Sequence, residues 1–163
     1  MSMSYNCCRT IFPGFVFQDI RCAKPPEEKG IYVIRVVTIG RPIDEIQAQV
    51  EQTMRVLNWP LVGNKVLGRV RRLGKIHHCP TIYIGSAGTR EQSKHTLQGR
   101  YEDFAGRHTA MYPLWALLYF GWELEYGWRI EAHPEIAEVH LKETFKHYLS
   151  WLPVTSGQFL NGM

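Results

Sequence analysis

The sequence has no long hydrophobic run. Its longest apolar stretch, Leu114 to Phe120, falls far short of the roughly 20 residues a membrane span requires, and the mean hydropathy is −0.23. No basic flank followed by an apolar core occupies Met1 to Thr10, so no secretory leader is read there. A cytoplasmic location without a membrane partner is the expectation. No internal repeat or low-complexity segment is present. At 45% hydrophobic and 21% charged residues, the composition is that of a globular domain and excludes disordered and collagen-like classes. The 163 residues suit one domain. Cysteine is scarce: Cys7, Cys8, Cys22 and Cys79 form no paired Cys-x-x-Cys hooks. Reduced cytosolic thiols account for them. The alternative is a zinc site at His77, His78 and Cys79, completed by Cys7 or Cys22.

Acidic residues are missing altogether from Gln52 to Pro80, where Arg55, Lys65, Arg69, Arg71, Arg72 and Lys75 stand. From Phe120 to Met163 the balance reverses, with three basic residues against six acidic ones. The net +4 therefore hides a basic middle and an acidic end. A basic stretch interrupted by Trp59, Leu67 and Leu73 suits a phosphate-facing surface or, equally, a solvated loop.

Apolar periodicity orders the elements. Residues 1–29 read as an irregular lead-in with Phe12, Phe15 and Phe17, ending at Pro25-Pro26. Ile31 to Val37 is almost wholly β-branched or aromatic, the mark of a strand buried on both faces. Pro42 opens a helix through Asn58 with Asp44 and Glu45 in its first turn. Ile43, Ile46, Val50, Met54 and Leu57 form its apolar stripe. Thr81 to Gly85 is a second strand, followed by a helix from about Ser93 to His108 and a short helix near Leu114 to Tyr119. Trp122, Leu124, Tyr126, Trp128 and Ile130 alternate with Glu123, Glu125, Gly127, Arg129 and Glu131, giving a strand with one buried and one wet face. Pro134 begins the last helix, which runs to about Leu149.

Two residues break these patterns. On the last helix Glu138 falls about 100° from Ala137, between Phe145 at about 80° and Leu149 at about 120°. A carboxylate inside an apolar arc needs a salt bridge, a proton or a metal ion. Arg100 sits at the shoulder of the apolar face of its helix, with Arg107 close to the same line. It can aim its fork at a phosphate, or pair with Glu102, Asp103 or Glu138.

Gly30-Ile31-Tyr32 and Tyr83-Ile84-Gly85 lie in the first two strands. Taken in order with Arg100 and Glu138, they resemble the GIY-YIG nuclease superfamily over about residues 30–155. The resemblance implies an α+β fold with a small three-stranded antiparallel sheet flanked by helices. It also implies a DNA endonuclease of restriction, defence or structure-directed repair type, using one Mg²⁺ (or Mn²⁺). Glu138 would hold the cation, Arg100 would neutralise the scissile phosphate, and Tyr32 and Tyr83 would position or activate the attacking water. Cutting both strands would suggest a homodimer or two sequential nicks. Residues 156–163 would be a tail.

The chain departs from that pattern in four places. Residues 38–80 form a long basic insert where the family has a short linker. The expected DNA contacts are its Lys65, Arg69, Arg71, Arg72 and Lys75, together with Arg107. Phe104 stands where the family often has His or Tyr, which leaves Tyr101 or His108 as accessory candidates. Ser86 replaces a frequent lysine. No asparagine closely follows Pro153, Asn161 being further away. Phe104 and the missing asparagine keep open a different class, a non-catalytic nucleic-acid-binding module on the same scaffold.

Overall fold

The structure, a computed structural model, describes residues 12–57, 81–88, 95–106 and 112–149. Its elements in chain order are β1 (Val16–Asp19), β2 (Gly30–Thr38), α1 (Ile43–Leu57), β3 (Thr81–Ala87), α2 (Leu97–Ala105), α3 (Tyr112–Tyr119), β4 (Glu123–Ile130) and α4 (Pro134–Leu149). The strands form one antiparallel sheet in the order β1-β4-β2-β3. The α+β class and the antiparallel sheet with flanking helices agree with expectation, but the sheet has four strands and not three. The extra strand comes from the lead-in, where Val16 to Asp19 pair with Trp128 to Glu125 of β4. A four-residue strand carries too little alternation to stand out in sequence.

The centre of the sheet is the β2–β4 ladder, running from Gly30↔Ile130 to Thr38↔Glu123. β2 has neighbours on both sides and cover on both faces from Ile31 to Ile34, which is why that run is wholly apolar, whereas Arg35 is half-buried and Val37, expected to be buried, is exposed. One face carries Tyr32, Ile34, Val36, Leu124, Tyr126 and Trp128 against Ile46 of α1, Leu97 and Phe104 of α2, and Leu114 and Leu117 of α3. The other carries Ile31, Val33 and Ile84 against Leu141 and Ala137 of α4 and against Phe12, Phe15 and Phe17. The apolar stripe of α1 also reaches the core through Ile43, Val50 and Met54, although Leu57 is exposed.

The wet face expected for β4 is largely covered. The Phe17 ring lies against Gly127, where an added Cβ would come within 2.3 Å of it. Arg35 stacks over the same ring at 3.5 Å and bonds Glu125 at 2.7 Å. Ile130, expected to be buried, is 52% exposed at the strand end.

Local bonds set α2 on the sheet. Its Leu97 and Gln98 amides, which no helical carbonyl can reach, donate to Glu28 and Pro26 carbonyls at 2.9 and 3.1 Å. Thr96 caps the helix by accepting from the Gly99 amide at 3.0 Å. The helix is shorter than its periodicity suggests, because the cap begins it at Leu97 and Gly106 follows its last residue. Trp115 then donates to the Phe104 carbonyl at 3.0 Å and stacks on that ring, joining α3 to α2.

Phe17→Ala is expected to destabilise the fold by about 2 kcal/mol, about half of a fully buried phenylalanine truncation, because the ring is half-buried. Urea denaturation would measure this, and an unchanged midpoint would show that β1 contributes nothing to the sheet.

Candidate active site

The β2–β3 register brings the two tyrosine tripeptides together. Tyr32 pairs directly with Gly85, and Ile34 with Tyr83. Tyr32 and Tyr83 are thus diagonal neighbours on one face. Their rings stack with centroids 5.5 Å apart, and the Tyr32 hydroxyl donates to the Tyr83 oxygen at 3.3 Å. Ile31 and Ile84 face the opposite way and anchor both segments against Leu141. The glycines allow the close approach. A Cβ on Gly85 would lie 2.6 Å from Tyr32 Cζ and 2.7 Å from its hydroxyl. One on Gly30 would lie 2.3 Å from the Arg129 carbonyl oxygen and 2.8 Å from Leu97 Cδ1.

A third tyrosine, Tyr126 of β4, stacks on the far side of Tyr32 at 5.4 Å. Among the described residues its buried hydroxyl has no hydrogen-bond partner. Sequence reasoning assigns it to the core, since alternation alone cannot tell a packing ring from one beside a site.

Arg100 rises one turn into α2, fixed through the Thr96 cap. Its guanidinium makes a long 3.5 Å contact with Asp103, and the side chain is 34% exposed. Its Nε is buried without a partner among the described residues. The pairing foreseen with Asp103 is therefore present, and it leaves the buried Nε unsatisfied. Burial raises the pKa of all three phenols, Tyr32, Tyr83 and Tyr126, and the Arg100 charge opposes that rise at each.

Glu138 approaches from the other face of the sheet. Its Oε1 takes the ammonium of Lys142, and its Oε2 accepts from the Ser86 hydroxyl. Of the three compensations open to a carboxylate in this arc, the structure contains the salt bridge. Glu138 is close enough to Tyr83 to raise the pKa of that phenol. Because β3 is at the sheet edge, Tyr83 feels the charges of both Arg100, from its own face, and Glu138, which bonds Ser86 on the other.

Both phenols are held protonated at neutral pH. Burial pushes Tyr32 well above the usual 10, helped by Tyr83 and Tyr126, with Arg100 opposing. Burial is also the main reason Tyr83 is raised; the Tyr32 hydrogen bond and Arg100 oppose it, and Glu138 adds to it.

Among the described residues, no group of three or more His, Cys, Asp or Glu is arranged to hold a metal ion. Glu138 and Ser86 nonetheless offer hard oxygen donors at one point. Mg²⁺ is commonly bound through one or two carboxylates while keeping several waters. The donors fit such a partly hydrated ion, with the Lys142 ammonium as a rival on the same carboxylate.

The accessory candidate Tyr101 is engaged elsewhere, donating to the Ile20 carbonyl at 2.8 Å with its ring edge on Tyr126. Burial raises its pKa too. His108, Arg107, Lys65, Arg69, Arg71, Arg72 and Lys75 lie outside the described residues, as do His77, His78 and Cys79. Sequence reasoning missed Lys142, although its i, i+4 spacing from Glu138 is a readable ion-pair signal. No helix among the described residues is long and apolar enough to cross a membrane. No family model, curated protein or solved structure matches the chain.

Two outcomes test this geometry. A phenol whose folded pKa lies above its unfolded value of 10 gives stability that is full below pH 10 and lost as pH rises further. Tyr32→Phe should therefore flatten the alkaline fall in melting temperature relative to wild type, measured by circular dichroism. An unchanged alkaline slope would show that Tyr32 is not shifted. Gly85→Ala should force the Tyr32 ring aside and destabilise by about 2 kcal/mol, read by urea unfolding; wild-type stability would contradict the close approach.

Proposed function

We propose that the protein is a metal-dependent endonuclease that hydrolyses DNA phosphodiester bonds. The reading is supported above all by the convergence of Tyr32, Tyr83, Arg100 and Glu138, from four separate elements, around the edge of β3. The resemblance of the two tripeptides to GIY-YIG nucleases adds to it.

In this reading Arg100 neutralises the scissile phosphate. A part-exposed guanidinium held only by a long contact to Asp103 suits the charge that develops there. Water attacks phosphorus, the bond to the leaving oxygen breaks, and one proton passes to that oxygen. Tyr32 and Tyr83 position the water through their shared hydroxyl pair. Being protonated at neutral pH, they act as hydrogen-bond donors first, and either becomes a base only when cations offset its burial. Glu138, with Ser86 beside it, would hold one Mg²⁺ or Mn²⁺, which would supply Lewis-acid stabilisation of the charge developing on the phosphate and the leaving oxygen.

DNA is the partner, reached through Lys65, Arg69, Arg71, Arg72, Lys75 and Arg107 as phosphate contacts. A homodimer is one route to cutting both strands. The second reading is a non-catalytic nucleic-acid-binding module. The occupation of both Glu138 oxygens by Lys142 and Ser86 is the observation that favours it.

The test is a panel of plasmid, branched DNA and RNA with Mg²⁺ or Mn²⁺, with product ends sequenced. Cleavage by wild type is expected, with Arg100→Ala losing about 10²–10³-fold in rate and Glu138→Ala losing it almost entirely, both variants remaining folded. Tight DNA binding without cutting of any substrate would establish the binding module instead.

A further inference from the structure

The least expected group at the site is a lysine on the inner side of α4. The Lys142 side chain is only 8% exposed, against 21% for the Glu138 side chain it contacts. Lysine is almost never buried to this degree without a partner. Here the partner lies one helical turn away, so the pair forms within α4 itself. Leu141, the adjoining residue, is buried against β2 and β3. The second carboxylate oxygen belongs to Ser86 of β3. Glu138 is therefore held from both sides, by an ammonium from its own helix and a hydroxyl from the sheet.

We infer that Lys142 is a positioning residue that acts as a resident cation on Glu138 and competes with the divalent ion for that carboxylate. This rests on the metal reading proposed above. A divalent ion arriving at Glu138 meets the positive charge of a side chain that is only 8% exposed, and in such partly desolvated surroundings like charges repel more strongly than in water. It must displace the ammonium or share the carboxylate with it. In either case Lys142 lowers affinity for the ion, while keeping Glu138 aimed at Ser86 when no ion is bound. Occupancy is thereby restricted to conditions in which a second ligand helps to hold the ion, and a DNA phosphate oxygen at Arg100 is suited to that. The site would take up metal and DNA together, each raising affinity for the other.

The experiment is a calorimetric titration of the full-length protein with Mn²⁺, in wild type, Lys142→Met and Lys142→Gln. Methionine keeps an apolar stem and glutamine keeps a neutral donor. Both variants are expected to bind Mn²⁺ about tenfold more tightly than wild type, since the competing charge is gone. Added Mn²⁺ should also raise their melting temperatures more than that of wild type. Lys142→Arg, which keeps the charge, should stay near wild type. A purely structural lysine would give unchanged or weaker binding in the neutral variants, and that result overturns the inference. Should Lys142→Met fail to fold, Lys142→Gln carries the same comparison. If Mn²⁺ binds wild type and variants alike and Glu138→Ala abolishes binding, the metal reading stands and only this inference falls. If Mn²⁺ binds none of them, with or without a DNA duplex present, the metal reading fails and takes this inference with it.

Discussion

The site depends on the close approach of Tyr32 to Gly85 across the β2–β3 pair. An aromatic ring can lie flat over the neighbouring strand only where that strand has no side chain in the way, and Gly85 supplies the gap. With the ring seated there, its hydroxyl reaches Tyr83 and its outer face is left for Tyr126. A one-residue slip in register would turn Tyr32 into the α4 face and Ile31 toward Arg100. The isoleucines at the centres of the two tripeptides oppose that slip, since both are fully buried among Phe12 and Leu141. The same short segments thus carry both the candidate chemistry and the packing that aims it.

Around this pair, the sheet order decides what can meet. β3 is an edge strand, so groups from opposite faces converge around it, as they could not around the central β2. α2 brings Arg100 from one side, and α4 brings Glu138 from the other. The lead-in takes part in the arrangement at a distance. The Pro26 and Glu28 carbonyls receive the first amides of α2, and β1 with Phe17 closes the face of β4 that would otherwise be wet. Residues before Gly30 therefore help to orient Arg100.

The electrostatics of the cluster are a balance between burial and cations. Desolvation keeps the phenols neutral, and Arg100 works against it at all three. Glu138 works with desolvation at Tyr83, and Lys142 sits directly on that carboxylate. A negatively charged substrate next to Arg100 and a divalent ion next to Glu138 would alter both sides of this balance. In the proposed reaction, metal binding and the protonation of the tyrosines are thus parts of one electrostatic problem.

Much of this is legible in the order of residues alone. The continuous apolarity of β2, the alternation in β4 and the proline-led starts of α1 and α4 are local signals, because burial pattern and capping act over a few residues. The oddity of Glu138 is legible for the same reason, since helical geometry places it inside an apolar arc whatever the fold. The rest required tertiary structure. β1 is too short to declare itself, and its partner lies more than a hundred residues away in the chain. Tyr126 reads as any core ring until Tyr32 is stacked on it. Ser86 meets Glu138 only because β3 is at the edge. By itself the sequence determined which of the longer segments form helices and strands and that Glu138 and Arg100 are anomalous within them, since those follow from short-range periodicity. Which anomalies share a site, and that Glu138 already holds a cation from its own helix, was decided by strand order, register and burial, which arise from long-range pairing.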